Sequence, residues 1–127
     1  MNTPLNPADV HAPLAGYSHQ IEVRGPARWL VLSGQVGRTL DGQVPEDPIE
    51  QLDLALDNVI RNLRATDLDV PDLVKLTLYL VGEMDPARRR DVLAARLGDH
   101  TPCMTLVYVV ALAAPIYKVE VDAWAAH

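Results

Sequence analysis

The sequence predicts an α/β domain built on one mixed β-sheet, with two helices on one face of that sheet. Three observations carry this prediction. Short runs alternate apolar and polar residues, two longer stretches repeat apolar residues at helical spacing, and the helical stretches fall between the strand-like runs. The resulting order is β-β-α-β-α-β-β across 127 residues, the length of a single domain.

Residues 1–16 are rich in Pro, Asn and Ala without periodicity, and are expected to form a loose arm. Ser18 to Val23 alternates, with Ile21 and Val23 on one side. Trp29 to Val36 is apolar on both faces until Ser33, and Arg24-Gly25-Pro26 reads as a turn, so the two runs predict a hairpin. Asp47-Pro48-Ile49-Glu50 is a helix start: Asp47 can cap, Pro48 suits the first turn, and Glu50 completes a capping-box pattern. Ile49, Leu52, Leu56, Val59, Ile60 and Leu63 then follow at helical spacing. Leu73 to Val81 predicts a strand with Leu76, Leu78 and Leu80 on one face and Lys75, Thr77, Tyr79 and Val81 on the other. Asp85-Pro86 repeats the helix start, and Gly98 fits the position after that helix's last turn. Met104 to Val110 and Tyr117 to Trp124 predict the last two strands.

Composition narrows the class. Hydrophobic residues make up 49% of the chain, dominated by 18 Leu, 15 Val and 15 Ala with no Phe, which excludes disorder. The Leu76, Leu78 and Leu80 row belongs under the helices. The opposite face would hold Tyr79, Val81, one side of Met104–Val110 and part of Trp29–Val36, a surface too apolar for water. Such a patch predicts an oligomer interface. No apolar run reaches the ~20 residues of a membrane span, and the N-terminus lacks the charged start and apolar core of a signal peptide. Cys103 is the only cysteine, so a Cys-based zinc site is excluded and a reducing cytoplasm is the expected compartment. The net charge of −6 argues against a nucleic-acid backbone as partner. No Gly-rich phosphate loop or His pair at metal-ligand spacing is present, so no cofactor or metal is expected.

Four segments in order resemble the Rid (YjgF/YER057c/UK114) family of reactive-imine metabolism. They are Gly16-Tyr17-Ser18; Ser33-Gly34-Gln35; the helix Gln51–Leu63 followed by Asp72-Leu73-Val74-Lys75-Leu76-Thr77-Leu78-Tyr79-Leu80; and Pro102 to Glu120 with the strand Val119–Ala123. The resemblance spans roughly residues 12–125. It implies a chorismate-mutase-like (YjgF-type) fold and a homotrimer with small-molecule clefts between subunits. It also implies hydrolysis of enamines and imines, such as 2-aminoacrylate and its imine tautomer, to a ketoacid and ammonia.

In the family's best-known branch, the arginine of a Pro-x-Arg-Ser/Thr motif grips the substrate carboxylate, the bidentate geometry arginine supplies best. Here Pro102-Cys103-Met104-Thr105 puts Met104 at that position, and a shift by one puts Cys103 or Thr105 there. None of these is a cation. The asparagine often found on the second helix of the family appears as Arg90.

The candidate catalytic residues are Glu120, which the resemblance implies helps to place the attacking water, and Tyr17, presenting a hydroxyl at the cleft rim. The competing readings are a solvated strand carboxylate and a packing tyrosine. Ser33, Gly34 and Gln35 are candidate cleft-floor groups, against the simpler reading of a strand end whose glycine allows close packing. Cys103, Met104 and Thr105 are candidate substrate contacts, Met104 making the cleft apolar against the competing reading of simple core packing. Cys103 reads more simply as a small buried hydrophobe: His100 stands three residues away as a base, but no third orienting group is evident. Arg88-Arg89-Arg90 fans around a helix and is expected to pair with Glu83, Asp85 or Asp91. Arg90 or His19 can replace the lost cation if either faces the cleft. Two functions therefore stand from the sequence: a hydrolase of altered selectivity, or a non-catalytic trimer that binds a small ligand or a protein in the same clefts.

Overall fold

In the computed structural model, which describes residues 1–127, the chain forms β1 (Asn2–Leu5), β2 (Gln20–Val23), β3 (Trp29–Val36), α1 (Pro48–Arg64), β4 (Leu73–Leu80), α2 (Pro86–Leu97), β5 (Cys103–Tyr108) and β6 (Val119–Ala126). The main sheet has the order β3-β6-β4-β5, with β4 and β5 parallel and the other pairs antiparallel. This is the α/β fold with a mixed sheet and two helices that the sequence predicts, with one strand more.

Helix α1 forms where its signals stand. The Asp47 carboxylate accepts the Ile49 N–H at 2.9 Å, and Pro48 occupies the first turn. The capping box expected from Glu50 does not form. Glu50 stays exposed, and Arg88 of α2 supports the cap instead, 2.9 Å from Asp47. The apolar stripe Leu52, Leu56, Val59 and Leu63 is buried against Leu76, Leu78 and Leu80 of β4 and Val121 and Ala123 of β6. Each fully buried leucine contributes about 2 kcal/mol relative to exposure. Gln51 is the one buried amide of α1, and it is fully used. It donates to the carbonyls of Pro45 and Ile116 and accepts the Lys118 N–H, tying both flanking loops to the helix.

Three strand assignments are corrected. The arm at residues 1–16 is not wholly loose, because Asn2–Leu5 pairs antiparallel with β2. The hairpin expected between Ser18–Val23 and Trp29–Val36 does not form; β3 pairs with β6. Length explains the choice. The eight residues of β3 meet the eight of β6, whereas β2 offers only four. The resulting β1–β2 ribbon crosses one end of the sheet. Asn2 Nδ2 donates to the Ala126 carbonyl at 2.9 Å, and the Ser18 N–H donates to the Pro102 carbonyl at 3.2 Å. The last strand also lies two residues later than expected, which buries Ala125 and Ala126.

The sheet face away from the helices has no cover within the chain. At one end it carries Trp29, Val31 and Trp124, which are 52%, 55% and 47% exposed, with the two indole rings edge to face at 6.2 Å. Towards β5 the same face turns polar. There the Tyr79 hydroxyl donates to Asp122 at 2.8 Å and Lys75 donates to Thr105 at 2.6 Å.

Candidate functional site

The alternation of β5 sorts the candidates onto two faces. Met104 and Leu106 pair with Leu76 and Leu78, so they face the helices, while Cys103 and Thr105 pair with Lys75 and Thr77 on the open face. Met104 therefore ends under α2. Together with Tyr17, Arg90, Leu93, Leu97 and His100 it lines a cavity of about 250 Å³.

Local structure fixes each wall. Helix α2 starts at Asp85, whose carboxylate accepts the Ala87 N–H at 2.9 Å and the Arg88 N–H at 3.3 Å, followed by Pro86. Arg90, Leu93 and Leu97 then share one stripe of the helix, which is the cavity wall. Gly98, with φ of +61°, turns the chain back towards β5. The Tyr17 segment is held by Ser18, whose hydroxyl donates to the Thr101 carbonyl at 2.6 Å.

Hydrogen bonding sets what these groups offer. Tyr17 Oη accepts the Leu14 N–H at 3.1 Å, which leaves its own proton free to donate. His100 Nε2 lies 2.7 Å from the Leu73 carbonyl, which can only accept. Nε2 therefore carries the proton, and Nδ1 of the neutral ring is an acceptor. The expected pairing of the three arginines with Glu83, Asp85 or Asp91 is not what forms. Arg88 pairs with Asp47 and Arg89 donates to the Tyr108 hydroxyl at 3.3 Å, because these partners lie on neighbouring elements within reach of α2. Arg90, exposed on α2, is among the residues lining the cavity.

The remaining candidates stand elsewhere. A bulge between Leu32 and Gln35 lifts Ser33 and Gly34 out of register with β6. Glu120 of β6 packs directly on Gly34: a methyl group there would stand 2.5 Å from Glu120 Oε1. Gln35 does not join them. It turns to the helix side, where it accepts from Asn62 Nδ2 at 3.2 Å. Cys103 lies on the opposite face of β5 from Met104, so the two do not share a site. Burial pushes the Cys103 thiol up, against the opposing pull of Lys75 and the Ile21 N–H, which disfavours the thiolate at neutral pH. His19 is outside the cavity lining; its ring meets Tyr17 edge to face at 5.7 Å and its Nε2 lies 2.6 Å from the His11 carbonyl. No group of three or more His, Cys, Asp or Glu side chains is positioned to hold a metal ion. Leu93, Leu97 and His100 were not among the sequence candidates. The stripe that Arg90 shares with Leu93 and Leu97 is the signal that points to the first two.

Two groups thus emerge: Tyr17, Arg90 and Met104 at the cavity, and Glu120 with Gly34 and Ser33 across the sheet. Strands β3 and β5 are its opposite edges, about 14 Å apart at the usual ~4.8 Å spacing. The cavity is on the helix side, whereas Glu120 alternates with buried Val119 and Val121 and so faces the other way. One chain alone does not bring Glu120 onto a ligand in this cavity.

A family model described as Endoribonuclease L-PSP matches residues 8–127. Among solved structures, the chain is similar to a protein of unknown function of the conserved Rid family, YyfB from Yersinia pestis. The TM-score is 0.87 at 26% identity, covering 99% of this chain and 98% of that one. The chain belongs to the Rid family. A second Rid-type structure, a member of the YjgF/YER057c/UK114 family from Mycobacterium tuberculosis, matches with a TM-score of 0.67 at 25% identity over 98% of both chains. The yeast protein YEO7 matches with a TM-score of 0.72 at 26% identity, over 100% of this chain and 99% of that one. No curated protein matches this Rid sequence. No helix of this Rid chain is long and apolar enough to cross a membrane.

Proposed function

We propose that this Rid protein hydrolyses small reactive imines or enamines in clefts between the subunits of a homotrimer, with a selectivity altered by Met104. The observation that carries the reading is the division of the candidate residues. Tyr17, Arg90 and Met104 line one cavity, while Glu120 lies across the sheet on Gly34. A second copy joins such halves if the uncovered sheet face, with Trp29, Val31 and Trp124, packs against it.

Chemically, Glu120 accepts a proton from water as that water adds to the imine carbon. The proton passes to nitrogen, the C–N bond of the carbinolamine breaks, and ammonia and a carbonyl product leave. Tyr17 has a hydroxyl proton free to hydrogen-bond the substrate. Met104 offers an apolar surface where the family's deaminase branch has a cation. The family description names an endoribonuclease, but the net charge of −6 opposes an RNA backbone.

The second reading is a non-catalytic trimer binding a small ligand or a protein partner in the same clefts; the loss of the motif arginine at Met104 favours it. An amino-acid oxidase generating imines in situ separates the two, with imine lifetime followed by competition with semicarbazide. The alanine-derived imine, 2-iminopropionate, should be hydrolysed weakly by the wild type and faster by Met104→Arg. The leucine-derived imine should be hydrolysed by the wild type and at least tenfold more slowly by Glu120→Ala. Strong Glu120-dependent hydrolysis of 2-iminopropionate would remove the role given to Met104. No hydrolysis of either imine would leave the binding module.

A further inference from the structure

We infer that Tyr79 and Asp122 are positioning residues for Glu120: the Tyr79 hydroxyl draws Asp122 towards β4, so that Glu120 alone stands over Gly34 as the free carboxylate of the open sheet face. This rests on the reading of Glu120 as the base of an imine hydrolase.

Strand β6 presents two carboxylates on one face. Glu120 and Asp122 are two residues apart and alternate with buried Val119, Val121 and Ala123. Two such groups are alternative acceptors for one water, and each disfavours the charge of the other. The neighbouring strands separate them. On β4, Tyr79 stands directly opposite Glu120 in the register, yet its hydroxyl donates to Asp122, at 2.8 Å. That diagonal reach across an antiparallel pair is within the span of an aromatic side chain. On β3, Gly34 leaves a hollow that Glu120 fills. The Cγ, Cδ and Oε1 atoms of Glu120 all lie within 2.7 Å of where a Cβ at position 34 would stand. Asp122 is thus held to one neighbouring strand while Glu120 lies on the other.

Tyr79 remains a donor across the neutral range. The bond to Asp122, with smaller contributions from burial and from the charges of Asp122 and Glu120, holds its hydroxyl above the usual 10.0. The surrounding cations are directed elsewhere. Lys75 donates to Thr105 at 2.6 Å, Arg38 donates to the Tyr117 hydroxyl at 3.1 Å, and Lys118 lines a groove with Glu46 and Ile116. None of them pairs with Glu120. Strand β3 carries no titratable side chain. The group that most directly governs Glu120 is therefore Asp122, and the group that governs Asp122 is Tyr79. Without the phenol, Asp122 is released beside Glu120 as a second charged acceptor for the attacking water.

Hydrolysis of the leucine-derived imine, followed against pH with the generating oxidase in excess, tests this. Tyr79→Phe keeps the half-buried ring and removes only its oxygen. It should lower kcat about fivefold with KM unchanged, because the substrate contacts remain. The acid limb of its pH profile should move up by about half a pH unit, since a closer like charge disfavours the ionised base. Asp122→Asn removes that charge, so its acid limb should move down and its kcat should fall less than in Tyr79→Phe. The double variant Tyr79→Phe/Asp122→Asn should match Asp122→Asn, because an amide released beside Glu120 carries no charge. An unchanged kcat in Tyr79→Phe, a loss confined to KM, or a loss that persists undiminished in the double variant would each overturn the inference. Glu120-dependent hydrolysis that ignores Tyr79 overturns the inference alone, whereas a wild type that hydrolyses no imine removes the hydrolase reading and the inference with it.

Discussion

Glu120 has its position set by a residue with no side chain. Any Cβ at position 34 would meet the Glu120 side chain, at 2.5 Å from Oε1 and 2.7 Å from Cγ. Both groups are at the surface side of the sheet, so the carboxylate can swing away instead of straining the backbone. Gly34→Ala should therefore cost less than about 1 kcal/mol of stability while lowering Glu120-dependent imine hydrolysis by about tenfold, close to 1.4 kcal/mol in the barrier. Parallel urea unfolding and rate measurements check the split, and an unchanged rate would show that the carboxylate position is irrelevant. At this scale much of the site was legible. The parity of β5 puts Met104 on the same face as Leu106, and Arg90 stands three and seven residues before Leu93 and Leu97. The closeness of Gly34 and Glu120 was not, because it depends on a bulge that pairing with β6 creates.

Helix α2 forms a wall of the cavity, yet Leu97 is its only fully buried residue. Polar contacts to α1 hold it instead. Arg96 makes a two-pronged contact with Asp53, Nε to Oδ1 at 2.7 Å and Nη2 to Oδ2 at 3.0 Å, and reaches Asp57 at 3.2 Å. The hydrogen bond from Arg96 holds the Asp53 carboxyl below its usual value of 3.8, against a smaller opposing effect of burial. A carboxylate pKa depressed by folding contributes stability above the unfolded value and loses it as the pH falls through the folded one. Asp53 is 47% exposed, so solvent screening limits the pair to about 1 kcal/mol or less. Arg96→Ala should lower the unfolding free energy measured by urea titration at pH 7 by that amount, with the difference from wild type shrinking below pH 3.8. A difference that persists undiminished in acid would mean the arginine acts through packing alone. Both helices were legible because Asp-Pro starts and apolar spacing are local signals. The hairpin was misjudged because strand partners are chosen over distance: β3 is joined to β6, some ninety residues on, by a register that no local pattern contains.

For the molecule as a whole, the surplus of Leu, Val and Ala divides between the two sheet faces. One is sealed by α1 and α2. The other leaves Trp29, Val31 and Trp124 in the open beside the polar pairs Tyr79–Asp122 and Lys75–Thr105. The same sheet keeps Glu120 away from the cavity under α2, so the proposed function needs further copies of the chain, both to complete the site and to cover the apolar end. The alternating strands made the uncovered face legible in the sequence. The separation of the two half-sites was not, since it follows from β3 and β5 becoming opposite edges. Light scattering on the purified chain at micromolar concentration tests this most directly. The expected molar mass is three times the 13.9 kDa of one chain. A folded, monodisperse species of 13.9 kDa would contradict the shared site and the function built on it.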